Sequence, residues 1–185
     1  MLNMISKIAS FSRLFLRKML LARLKKRGLV IGNRVNLQQG VVLDPSHCWH
    51  IQIGDDVIMA PNVHILAHDA STKNHIGLTK IGNVIVGNSV FIGANSVVLP
   101  GVTIGENTVI GACSLVSKDI PANVVATGNP IRVVSHLSEF VVQHLENHRT
   151  LPLFDATYTI GSGTTPEKKR EMVGKLQGGK VGYVV

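Results

Sequence analysis

Aromatic residues make up only 4% of this 185-residue chain, with Trp49 the single tryptophan. A core of bulky rings is excluded. The 45% hydrophobic content is carried by small and branched aliphatics, which suit a narrow stacked interior. Cysteine is almost missing: Cys48 and Cys113 provide neither a disulfide framework nor a metal-ligand spacing, and the pattern fits a reducing cytoplasm. Cys113 occupies a repeat position and reads as a small core residue, whereas Cys48 has no evident role. Acidic residues are absent before Asp44, while nine basic ones precede it, so the net charge of +8 resides in that segment and the remainder is close to neutral. A high isoelectric point of this origin does not describe the rest of the chain and gives no reason to expect nucleic-acid binding. No apolar run approaches the roughly 18 residues that would span a bilayer.

What is present is a beat of six. Val86, Ile92, Val98, Ile104, Ile110 and Val116 are spaced six apart, and Gly87, Gly93, Gly105 and Gly111 follow four of them. Helical faces recur at about 3.6 residues and strand faces at 2. A period of six marks a parallel β-helix in which each hexad is one short strand plus a corner. The aliphatic points inward and glycine at the following position avoids a Cβ clash. The beat is present earlier at Ile31, Leu37 and Leu43, and again at Ile53, Met59 and Ile65. It is broken twice. Leu43 to Ile53 is ten residues, which pushes four out around His47 to His50. Ile65 to Val86 is twenty-one, three hexads plus three, so a segment between His68 and Lys80 is ejected. An unpatterned loop inside a repeat is usually functional or disordered.

Three regions follow: residues 1–28, a basic amphipathic helix; residues 29–134, the repeat domain with an extruded loop over 68–80; and residues 135–185, a helical extension. Within the first, Ile5, Ile8, Phe11, Phe15, Met19 and Ala22 recur at helical spacing over 3–26, and Gly28 is the stop. Such a stripe packs on the prism or a neighbouring subunit, or lies on an anionic membrane surface as a peripheral contact; an organellar presequence shares its acid-free character. In the last, Ser138 to His148 reads as a short helix. Thr165 and Pro166 open another, Gly178 and Gly179 end it, and Tyr183 to Val185 is an apolar tail expected to dock.

The candidate chemistry lies at the second interruption. His68 stands where the regular coil gives way to the loop, half on scaffold and half in a cleft. A neutral imidazole there can take a proton from a hydroxyl near pH 7. Asp69 is an adjacent candidate orienting carboxylate and Asp44, across the first bulge, a second. His64 lies within a hexad near its corner.

The strings IGDDVIMAPNVHILAHDAST and VGNSVFIGANSVVLPGVTIGENTVIGACSLVSKDIPANVVATGNPIRVV resemble the hexapeptide-repeat acyltransferases, which include maltose, galactoside and serine acetyltransferases. The resemblance covers roughly residues 30–134. It implies an all-β, left-handed parallel β-helix of four to five coils, a hand that departs from the right-handed crossover rule. It also implies a homotrimer that binds acetyl-CoA as co-substrate between prisms, with no metal. By the same resemblance His68 matches the catalytic histidine. Asp44 matches a carboxylate that contacts the acceptor sugar, with His64, Asp69 and Phe91 on the acceptor side; Phe91 stands where the galactoside enzymes carry Trp. Ala94, Ala112, Ser117 and Lys118 match the pantetheine and phosphate path, and Arg132 a basic residue near the nucleotide. The HDAS loop and the FDATYTIG…PEKKREMVGKL tail are similar to a subgroup linked to capsule, exopolysaccharide or lipopolysaccharide synthesis.

The implied activity is direct transfer of acetyl to a hydroxyl of a sugar or cell-surface polysaccharide precursor, in the cytoplasm or at the inner face of the cell membrane. N-acetylation of an amino sugar, free or nucleotide-linked, uses the same parts. A zinc enzyme like the γ-class carbonic anhydrases could draw on His47, His50, His64, His68 and His75, though their Gly-His and His-Gly-Cys spacing is absent. A non-catalytic scaffold is the remaining alternative.

Overall fold

The computed structural model describes residues 16–179 and 181–185. These fall into two compact units, 1–137 and 138–185. The first is built from very short strands, most of them two residues long, stacked into three sheets. One face holds Val30–Ile31, Ile51–Ile53, Val84–Val86 and Thr103–Ile104. The second holds Asn36–Leu37, Ile58–Met59, Phe91–Ile92, Val109–Ile110 and Val124–Thr127, with Arg132–His136 added antiparallel at its end. The third holds Val42–Leu43, His64–Ile65, Val97–Val98 and Leu115–Val116. Apart from the added strand, neighbours within each of these sheets pair in parallel.

The six-residue beat is the core. Ile92, Val98, Ile104, Ile110 and Val116 are fully buried and Val86 nearly so; Met59 and Ile65 join them lower in the stack. Ile31 pairs with Ile53, Ile53 with Val86 and Val86 with Ile104. The steps are 22, 33 and 18 residues, so an undisturbed turn is three hexads. The first bulge adds four residues to a turn and the loop adds fifteen, rather than the three implied by counting whole hexads across the gap.

The corners divide two jobs between two residues. The glycine after the aliphatic supplies close approach: a Cβ on Gly87 would lie 2.6 Å from the backbone nitrogen of Glu106 in the next turn. The left-handed conformation falls two residues later, on Asp56, Ser89, Asn95, Asn107 and Cys113, all with φ between 53° and 58°. Asn and Asp tolerate that region because their short polar side chains bond locally. Cys113 is therefore an exposed corner residue and not a core one; its backbone position, not the hexad rhythm, sets its environment. Buried hydroxyls satisfy corner carbonyls, with Ser96 and Ser114 donating to the Gly111 oxygen and Thr108 to that of Pro121.

Residues 16–26 are helical, and the remainder of the helix expected over 3–26, with Ile5, Ile8, Phe11 and Phe15, lies outside the described residues. Leu24 and Leu29 are buried against the base of the prism. Buried Cys48 contacts the Leu24 carbonyl through its sulfur at 3.6 Å. Gly28, at φ +106°, ends the helix where a Cβ would meet that of Trp49 at 2.8 Å.

In the second unit a helix over Leu137–Thr150, whose first residue belongs to the first unit, is followed by a helix over Pro166–Lys175. Thr165 caps the latter by accepting from Lys168 N, and Gly178 and Gly179 follow it at positive φ. The apolar tail docks as expected, Tyr183–Val184 pairing in parallel with Leu153–Phe154. No described helix is long and apolar enough to cross a membrane.

Candidate active site

Leu43 pairs with Ile65 on the third face, so Asp44 and Leu66 leave that face at the same corner of successive turns. Asp44 is only 1% exposed. Its Oδ1 accepts from the backbone of Ser46 at 2.9 Å and of His47 at 3.2 Å, and its Oδ2 from Ala67 N at 3.0 Å. The same Oδ2 pairs with Nδ1 of His68. A carboxylate this buried and this fully engaged can do little but hold the imidazole. His68 keeps 31% of its side chain exposed, so its Nε2 is the nitrogen free to meet a substrate. Burial pushes the Asp44 carboxyl up, but the bonds from His68, Ala67, Ser46 and His47 together outweigh it and hold the group below its ordinary value. The residue is thus an anion at neutral pH, which fixes the imidazole's orientation.

The loop leaves the prism as an antiparallel pair, His68–Asp69 with Lys80–Ile81. This anchors the backbone of His68 on one side while Asp44 fixes its ring on the other. Asp69 does not share the task. Its exposed carboxylate accepts from Ser71 N at 2.8 Å, and those Ser71 bonds hold it below the ordinary value. Of the two candidate carboxylates it is Asp44, 24 residues away, that reaches the ring, as the register Leu43 to Ile65 places it one turn below. His64 is half-buried on the third face and stands outside the cluster of potential ligands that Asp44, His47 and His68 form.

The remaining expected residues distribute over the prism. Ala94 and Ala112 stack at the corner between the second and third faces, where Cys113 N donates to the Ala94 carbonyl. Ser117 and Lys118 are exposed at the opposite edge of the third face. That is the His68 edge: Leu66 bonds to Val98 and Leu99 to Val116, so Leu66, Leu99 and Ser117 form one column. Arg132 is exposed on the added strand opposite Thr127. Phe91 is 40% exposed on the second face between Ile58 and Val109, a different face from His68 within one chain. The small corner and the exposed cations therefore lie at different edges of one chain's prism.

The first bulge supplies what the sequence reading left unassigned. It folds as a short turn over Cys48–His50 and sets His47 beside His68, ring centroids 4.8 Å apart, with Trp49 5.3 Å beyond His47. The signal was the four-residue excess itself, immediately after Asp44.

The repeat pattern is shared with known proteins. The bacterial transferase hexapeptide (six repeats) family pattern matches residues 83–118. The galactoside O-acetyltransferase of Escherichia coli K12 is 46% identical over 98 residues, covering 49% of this chain and 46% of that one. Protein CapG of Staphylococcus aureus is 35% identical over 142 residues, 74% of this chain and 83% of its own. Among solved structures, a hexapeptide-repeat-containing acetyltransferase of Vibrio cholerae in complex with acetyl coenzyme A has a TM-score of 0.54 at 28% identity. It covers 60% of this chain and 61% of its own. The chain thus spans about half the length of the galactoside enzyme.

Proposed function

Because the chain belongs to the hexapeptide-repeat transferase family, we propose that it transfers acetyl from acetyl-CoA to a hydroxyl of a sugar or cell-surface polysaccharide precursor. The observation that carries this is the buried Asp44 paired with a half-exposed His68 on the edge of a prism whose relatives include named O-acetyltransferases. The prism is the left-handed form of four to five coils, and three copies associate so that acetyl-CoA lies in the seam between neighbours. Support for the assembly is physical: Val42, Ile58, Ile85 and Phe91 are exposed on flat faces, and a small prism cannot bury enough apolar surface alone.

Nδ1–H of His68 is held on Asp44, so Nε2 carries the lone pair. Nε2 removes the acceptor hydroxyl proton as its oxygen attacks the thioester carbonyl. The imidazolium, stabilised by the Asp44 anion, then returns the proton to the departing thiolate. General-base assistance of this kind contributes about 10²–10⁴-fold, with positioning supplying much of the rest. Transfer is direct, since Cys48 is buried on the helix side and holds no histidine partner. Ala94 and Ala112 leave room for the pantetheine arm, and Ser117, Lys118 and Arg132 serve its polar end. His64, Asp69 and Phe91 belong to the acceptor side, Phe91 from the neighbouring copy. Exposed Leu16, Met19 and Leu20 beside Arg17 and Lys18 support a peripheral membrane contact of the N-terminal helix.

Incubation with isotopically labelled acetyl-CoA and a panel of mono- and oligosaccharides, followed by mass spectrometric location of the label, tests the proposal. Label on a sugar oxygen supports it. Label on an amine alone shifts the acceptor class, and no transfer to any sugar in the panel contradicts it.

A further inference from the structure

His47 is left over by this mechanism. Its Nδ1 is buried without a hydrogen-bond partner, beside a carboxylate and a second imidazole. A buried polar atom with no partner costs about 1–3 kcal/mol, and such exceptions call for an explanation. The neighbouring histidine of the same bulge has none of this freedom, since His50 Nδ1 is bound to the Asn83 side-chain oxygen at 2.6 Å. We propose that Asp44, His47 and His68 form a site for a divalent transition metal of the zinc class, and that occupancy switches the enzyme off.

One ligand atom from each of the three residues lies within 4.8 Å of the others. Tetrahedral zinc with bonds of about 2.0–2.1 Å needs its ligands roughly 3.3 Å apart, so binding must draw the three atoms together. One carboxylate and two imidazoles suit zinc, copper or nickel and disfavour calcium or magnesium. Two of the ligands sit three residues apart on one tight turn, already fixed by the bonds from Ser46 N and His47 N to Asp44. The third is delivered by the next turn of the prism. Support behind the ligands is in place, because Ala67 N still holds the Asp44 carboxylate.

The metal would take the place of the proton now shared by Asp44 and His68, with His47 Nδ1 as the third ligand and a fourth position open. No redox step is involved; the proton on Nδ1 passes through solvent to Nε2, so that the ring coordinates as a neutral imidazole. His68 then has its lone pair on the metal and its proton on Nε2, which leaves no base to face the acceptor hydroxyl. Inhibition rests on the role given to His68 above, whereas binding does not.

Trp49, the one tryptophan in the chain, stands 5.3 Å from His47 and reports the site directly. Full-length protein without an affinity tag, stripped with EDTA, is titrated with Zn²⁺ by calorimetry and with Cu²⁺ by quenching of Trp49 emission. The expected result is one Zn²⁺ per chain and matching Cu²⁺ quenching. Affinity falls by at least about 100-fold in His47→Ala and in the milder His47→Gln, and is unchanged in a His144→Ala, His148→Ala double variant. The absence of saturable binding, or binding that survives both His47 substitutions, overturns the proposal. Acetyl transfer is measured in parallel: inhibition reversed by EDTA supports the switch. Zn²⁺ bound at the site with full turnover retained overturns the switch and removes His68 from the base role, while the metal site itself stands.

Discussion

The proposed mechanism rests on two side chains, and each answers to a different measurement. His68→Ala should lower turnover by about 10²–10⁴-fold while coenzyme A binding, followed by calorimetry, stays within a few-fold, because the ring is assigned to the proton and not to the cofactor. Retained turnover would contradict the assignment. Asp44 has a signature in stability as well. Its folded-state carboxyl is held below the ordinary value of about 3.9. Its stabilisation is therefore complete above that value and is lost as the pH falls through the lower folded one. Thermal melts from pH 7 to pH 2 should show a wild-type midpoint that falls more steeply below pH 4 than that of Asp44→Asn, the variant being less stable at pH 7 and converging in acid. Parallel curves would show that the carboxylate contributes no such linkage. His68 was legible because it ends a hexad run at the start of an ejected loop. Between the two candidate carboxylates, Asp69 and Asp44, the sequence could not choose, because in a prism the nearest neighbour is one turn away, here 24 residues.

The corner and the loop are the elements that make the prism, and they differ in what they tolerate. Gly87→Ala drives a Cβ to within 2.6 Å of backbone in the next turn, where nothing flexible can give way. Overpacking of this kind costs about 1–3 kcal/mol, so a lower unfolding midpoint is expected. Gly161→Ala, with nothing closer than 4.0 Å and no left-handed φ, should shift stability by less than about 0.5 kcal/mol. Equal effects at the two sites would contradict the close-approach role. The loop is the opposite case. Residues 70–79 lie beyond the His68–Asp69 and Lys80–Ile81 pair, and loop length enters closure entropy only logarithmically. Their replacement by a short turn should leave the melt almost unchanged and abolish transfer to the acceptor. The period of six exposed the strands and both interruptions, because burial of the aliphatic is a local rule. The exposure of Cys113 was not legible, since the left-handed corner falls on the third residue after the aliphatic and a small residue there looks like core.

At the level of the molecule, the flat faces carry the account. Light scattering should give about 60 kDa for three copies of the 19.9 kDa chain, and an Ile58→Asp, Phe91→Asp double variant, charged on the exposed second face, should shift the mass towards monomer and lose turnover with it. A monomeric, fully active wild type would contradict a shared seam. Sequence patterning could not supply the hand of the coil, which only the family resemblance implies, because either hand buries the same aliphatics. The most direct measurement is a crystal structure of the coenzyme A complex, read for one distance. The thiol sulfur should lie within about 4 Å of His68 Nε2, close enough for the imidazolium to return its proton to the departing thiolate. A thiol seated at another corner of the prism, with the ring facing only its own chain, would contradict acetyl transfer at His68.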